Sequence, residues 1–201
     1  CIYCQVEFAP LCLKCQQFWL APVQRRYVKG LAVNSILAYN AASSRIVIQA
    51  KESRNRVAQF WMAKALSTAL EKFELDNPAL SISHSLLVPI PSSRTAIRRR
   101  GGSFLHPILD KLVELQKQKN GVRWRWKELL IHQKSVRDQS KLSYTARQSN
   151  MASAFRLISD DLVRERPILL IDDVLTTGAT LDNAFRALRE RNLTVLGAAT
   201  V

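Results

Sequence analysis

Ile168-Leu169-Leu170-Ile171 runs straight into Asp172-Asp173, then into Val174-Leu175-Thr176-Thr177-Gly178-Ala179-Thr180. No other stretch constrains the fold as much. Four apolar residues with no polar alternation read as a strand buried on both faces, which requires a layer of structure on each side of its sheet. Leu181, Ala184, Phe185 and Leu188 then recur at helical spacing, so an amphipathic helix follows the loop. The unit is strand–loop–helix. Its carboxylates stand at the carboxyl end of the strand, where open α/β sheets bind ligands.

The loop chemistry suits one ligand class. Thr176, Thr177, Gly178, Ala179 and Thr180 can turn successive backbone N–H groups inward as an anion nest, and the following helix adds its positive end. Such a loop accommodates one phosphate monoester. Asp172 and Asp173 repel phosphate, but they accept hydrogen bonds from vicinal sugar hydroxyls. Phosphate donors beside hydroxyl acceptors describe a ribose 5-phosphate site. The plainer alternative is an Asp-rich turn with threonine helix caps.

At these residues the sequence resembles the phosphoribosyltransferase superfamily and its motif for phosphoribosyl pyrophosphate (PRPP). The resemblance implies a type I phosphoribosyltransferase-like α/β fold, a twisted parallel sheet flanked by helices. It also implies that Asp172 and Asp173 contact the ribose 2- and 3-hydroxyls and that Thr176–Thr180 hold the 5-phosphate.

All four cysteines lie at the amino terminus, as Cys1-x-x-Cys4 and Cys12-x-x-Cys15. Paired C-x-x-C knuckles are spaced for one tetrahedral zinc ion, structural rather than catalytic because four thiolates leave no open position. Two disulfides in a secreted protein are the alternative. No signal peptide is visible, so a cytoplasmic location is expected. A chain that opens on a ligand is expected to lack a few leading residues.

A four-cysteine knuckle ahead of a PRPP motif resembles the ComF family of bacterial competence proteins. Other residues agree with it. Gln139, Leu142, Arg147, Asn150 and Phe155 are similar to that family's segment before the PRPP strand. Val88-Pro89-Ile90-Pro91, with Arg94, Arg98, Arg99, Arg100 and Gly101 after it, is similar to its Val-Pro-(Val/Ile)-Pro…Arg-Gly segment. Lys51, after the apolar run Ile46–Ile48, stands where the family has a lysine ending its first core strand. The resemblance makes Lys51, Gln139, Arg147 and Asn150 pocket candidates. It makes Arg94–Gly101 a loop for pyrophosphate or DNA. One departure is Gly102-Ser103-Phe104 after Gly101, where the family has Phe-Asn-Gln; an amide side chain is lost.

Length and composition accord with one domain plus an appendage, divided as 1–25 and 26–201. The chain has 201 residues, 47% of them hydrophobic, and no run approaching a membrane span. Strands are expected within 30–50 and at Leu86–Ile90, with a basic loop after the latter. Helices are expected near 55–73 and 103–119, the first broken by Asp76-Asn77-Pro78 and the second ended by Asn120-Gly121. A final strand covers Thr194–Thr200.

Charge adds a separate constraint. Thirty basic against sixteen acidic residues leave a formal +14, which calls for a polyanionic partner, most simply nucleic acid. Besides Arg94–Arg100, Arg123, Arg125 and Lys127 interleave with Trp124 and Trp126. A strand there puts cations on one face and indoles on the other, and the indoles either stack on bases or face the core; the core is favoured. His84, His106 and His132 form no pattern and read as structural or solvated. Two function classes remain. One is a DNA-uptake protein of natural competence that binds PRPP with Mg²⁺ and single-stranded DNA, with other uptake proteins as candidate partners. The other is an enzyme moving phosphoribose to a nitrogen acceptor. No residue stands out as a general base, and the binding protein is preferred.

Overall fold

The structure is a computed structural model that describes residues 1, 4, 11–19, 22–36, 41–78, 80–132, 154–158 and 166–201. Gln139, Leu142, Arg147 and Asn150 lie outside the described residues. The elements, in chain order, are α1 (Leu13–Trp19), β1 (Gln24–Val28), β2 (Leu31–Ser35), α2 (Ala41–Glu52) and α3 (Arg56–Asp76). A 3₁₀ turn (Ile82–His84), β3 (Leu86–Pro89), α4 (Arg94–Arg100) and α5 (Leu105–Asn120) follow. The chain then runs through β4 (Leu130–His132), β5 (Phe155–Leu157), β6 (Ile168–Ile171), α6 (Ala179–Arg189) and β7 (Val195–Thr200). Among the described residues, no helix is long and apolar enough to cross a membrane.

The main sheet has the order β1-β2-β7-β6-β3, with β1 antiparallel to β2 and the other neighbours parallel. β6 lies inside it, and all four of its side chains are buried. Their alternation shows why the run carries no polar residue. Leu169 and Ile171 join the core under α3 and α5, whereas Ile168 and Leu170 join the core under α6 and the β4–β5 pair. Each such side chain contributes about 1.5–3 kcal/mol by leaving water.

Local signals set the helix ends. Asn55 caps α3 by accepting from Val57 N at 2.9 Å and Ala58 N at 3.1 Å. Along α3, Ala58, Met62, Ala65, Leu66, Ala69, Leu70 and Phe73 are buried at three- and four-residue spacing. Phe73 closes on Gly197 of β7, where an added Cβ would meet its ring at 2.7 Å. Gly121, with φ 71°, ends α5 as Asn120-Gly121 predicts.

Three expectations need correction. Ile46–Ile48 belong to a helix, not a strand: Ser43, Ile46, Val47 and Ala50 are buried while Arg45 and Ile48 are exposed, a helical period that the β-branched residues obscure. The basic stretch after β3 is the helix α4, not a loop. Ser93 Oγ accepts from Ala96 N at 3.2 Å, and Gly101 ends the helix at φ 70°. Residues 123–127 form only a single parallel bridge, Leu87 to Trp126. The alternation holds, with Arg123, Arg125 and Lys127 exposed. The indoles turn inward: Trp124 is buried in the core, and Trp126 Nε1 donates to Asp110 at 3.0 Å. The expected division after residue 25 falls within β1.

Candidate functional site

The carboxyl ends of β3 and β6 open into a cleft of about 620 Å³, which the end of α2 and part of α4 also line. Asp172 and Asp173 follow β6 and lie in it. Asp173 N donates to Asp172 Oδ1 at 2.8 Å, and Lys51 Nζ donates to Asp173 Oδ2 at 2.5 Å. Lys51 also lies 5.4 Å from the centre of the Phe104 ring. Lys51 therefore arrives from the last turn of α2, a different element from the expected strand, yet reaches the acid pair. Burial, and after it the Asp173 charge, pushes the Asp172 carboxyl well above its ordinary range. The Asp173 N–H and, more weakly, the Lys51 charge oppose that shift without cancelling it.

The loop after the acids turns into α6 through Gly178, which has φ 77°. A Cβ there would meet Val28 of β1 at 2.7 Å. Conformation and space both demand glycine. Gly178 gives α6 no side-chain cap, and the nearest hydroxyl, Thr177 Oγ1, lies 3.4 Å from Ala179 N. Thr176 and Thr180 line the cleft, and Thr177 and Ala179 are exposed. First-turn N–H groups beside exposed hydroxyls are the kind of donors that a helix start offers to an anion. Gly178→Ala is expected to cost about 2–5 kcal/mol in chemical denaturation, the sum of a left-handed backbone and overpacking. Gly121→Ala is the control, because φ is 71° there but nothing lies within 4 Å. Equal losses at the two positions would show that Val28 does not crowd the loop.

The arginine cluster is split in its roles. Arg100, with a side chain only 8% exposed, lines the cleft and pairs with Glu52 at 3.0 Å. Arg99 also reaches Glu52, at 3.0 and 3.2 Å. The Arg100 hydrogen bond, with smaller help from the charges of Arg99 and Lys51, holds Glu52 below the usual carboxylate range. Arg94 and Arg98 are exposed on α4, and Gly101 ends the helix. Sequence reasoning missed Glu52, Ser92, Ser93 and His132 as cleft residues. His132 Nε2 donates to Pro91 O at 3.0 Å and its ring lies 4.8 Å from Phe155. Its position at the end of β4, opposite the residues after β3, is a tertiary fact with no sequence signal.

Cys1, Cys4, Cys12 and Cys15 bring their sulfur atoms within 4.8 Å of one another. Cys4 and Cys12 sulfurs are 3.8 Å apart. That is far beyond a disulfide bond of about 2.05 Å, and it matches the edge of a tetrahedron with metal–sulfur bonds of about 2.3 Å. Cys12 N also points to Cys1 Sγ at 3.4 Å. Burial pushes the Cys15 thiol up to about 12. The four sulfurs suit a structural metal.

A comparison with curated proteins finds no match. The model of the phosphoribosyl transferase domain matches residues 96–201, just over half of the chain, from α4 through the acid pair and the Thr176–Thr180 loop to the end of β7. With that match covering β6, β7 and the loop after the acid pair, the chain belongs to the phosphoribosyl transferase domain family.

Proposed function

We propose that the cleft binds PRPP or a related ribose 5-phosphate ligand, and that the protein serves DNA uptake in the cytoplasm as a ComF-like competence protein. The observation that carries the first part is the convergence of Asp172, Asp173, Lys51, Arg100, Thr176 and Thr180 on one cleft. Asp172 and Asp173 accept from the ribose 2- and 3-hydroxyls. The loop donates backbone N–H groups and hydroxyls to the 5-phosphate. Lys51 and Arg100 face the pyrophosphate. Mg²⁺ entering with PRPP would offset the charge of the pyrophosphate. The cysteine cluster holds zinc in a metal-bound appendage that precedes β1. The competence role rests on the family resemblance and on the formal charge of +14, which suits single-stranded DNA.

Membership of a transferase family favours a second reading, in which phosphoribose passes to a nitrogen acceptor and the electrostatics of Arg100 and Lys51 stabilise the departing pyrophosphate. One experiment separates the two. PRPP with Mg²⁺ at a hundredfold excess over its dissociation constant should stabilise the protein by about 2.7 kcal/mol. Pyrophosphate release is followed in the same sample, with nitrogen bases added in turn. Stabilisation without release supports a binding protein; steady release with one base establishes the enzyme. No stabilisation by PRPP or ribose 5-phosphate would end both readings.

A further inference from the structure

A second recess of about 400 Å³ shares the wall of the cleft. Lys51, Arg100 and Phe104 line both cavities, and the recess adds Arg54, Arg56 and Gln59. Among the described residues, no acidic side chain lines it. Lys51 and Arg100 have carboxylate partners in Asp173 and Glu52, which line the other cavity. Arg54 and Arg56 are exposed and form no ion pair among the described residues. Arg54 is fixed in place: its backbone has φ 49°, and its guanidinium donates to the carbonyl of Arg100. Four cations around one concavity, two of them unneutralised, hold a positive potential that only an anion relieves.

We propose that this recess is a second phosphate site, taking a phosphodiester of single-stranded nucleic acid while the neighbouring cleft holds its ribose-phosphate ligand. This rests on the polyanion part of the function proposed above and gives it a location. A strand suits the site better than a free phosphate does. Arg54 and Arg56 stand exposed at the recess. The formal charge of +14 favours a strand, whose further phosphates meet further cations of the chain, whereas one free phosphate meets only the recess.

The test uses the full chain, a single-stranded oligothymidylate, and PRPP with Mg²⁺. Arg54→Gln with Arg56→Gln should weaken oligothymidylate binding about tenfold near physiological salt and reduce the logarithmic salt slope by about 1.4, two contacts at about 0.7 each. PRPP-induced thermal stabilisation should be unchanged. Arg186→Gln with Arg189→Gln, an equal loss of charge at the far end of α6, should leave the slope at its wild-type value. Arg54→Lys with Arg56→Lys should retain it, which separates lost contacts from faulty folding. Equal losses in both Gln pairs would mean that overall charge alone matters and would overturn the recess. Lost PRPP stabilisation with intact oligothymidylate binding would overturn it too, making the recess part of the pyrophosphate site. Failure of the wild type to bind oligothymidylate at low salt would instead remove the polyanion reading itself. Failure of the wild type to bind PRPP would remove the ribose-phosphate reading without touching the oligothymidylate result.

Discussion

Stripping the metal from Cys1, Cys4, Cys12 and Cys15 is expected to unfold the amino-terminal segment while leaving the parallel sheet intact. Metal analysis before chelation should give about one zinc per chain. The helix that begins within the second knuckle, α1, has only seven residues, far too few to persist by itself in water. Its order comes from the metal and from two anchors, Leu11 and Cys15, each 4% exposed in the core that also holds Ile46, Trp61 and Met62. Structural zinc sites of this kind contribute about 10–16 kcal/mol to ordering their ligands. The sheet has a core of its own on both faces. Hydrogen exchange should therefore lose protection over residues 11–19, with slower and smaller changes in β6 and β7. Cys15→Ser should reproduce the chelated state. Two intact disulfides and no metal in freshly purified protein would overturn this picture.

The sequence revealed most where one local pattern met one physical demand. Ile168–Ile171 must be buried on both faces because no residue among them tolerates water, and the acids after them have nowhere to stand but the end of the sheet. The cysteine knuckles were equally local. Failures came where local preference and tertiary packing diverged. Ile46, Val47 and Ile48 favour strands individually, yet α2 buries Ile46 and Val47 against α3 and leaves Ile48 in solvent. Ser93 and Gly101 are helix caps in plain sight, but a run of arginines reads as a loop when the caps are passed over. Lys51 lines the cleft from a helix rather than from the end of a strand, because the end of α2 reaches the same acids. Glu52, Arg54 and His132 meet partners 41 to 48 residues away, and no periodicity encodes such contacts. The segment containing Gln139, Arg147 and Asn150 lies outside the described residues, so their pocket role rests on resemblance alone.

Replacing Asp172 by Asn is expected to raise the melting temperature of the free protein and to weaken PRPP at the same time. The Asp172 carboxyl is pushed above its ordinary value of 3.8 first by burial and then by Asp173. A raised acid binds its proton more tightly folded than unfolded. Its charge therefore subtracts stability as pH rises from the ordinary carboxylate range through the raised value, and the full penalty remains above it. Asn keeps the shape and removes the penalty. Glu52 and Asp76, held low by arginine and lysine partners, act with the opposite sign: their contribution is lost as pH falls. The difference between wild type and Asp172→Asn isolates the one group, and it should widen with rising pH. Asp173→Asn should go the other way and lower the melting temperature, because Lys51 loses its partner at 2.5 Å. Both variants should lose PRPP affinity. A hydrogen bond to a charged acceptor contributes about 1.5–3 kcal/mol, so each lost contact weakens binding by about ten- to a hundredfold. Wild-type affinity should also rise across the pH window in which Asp172 ionises, because the ribose hydroxyls need an acceptor. Equal PRPP stabilisation of wild type and both variants would mean that the acids serve only the fold. A fall in the melting temperature of Asp172→Asn would mean that its carboxylate is stabilised where it stands. The expected pairing, more stable and less able to bind, is what distinguishes an acid held in readiness for a ligand from one that closes a turn.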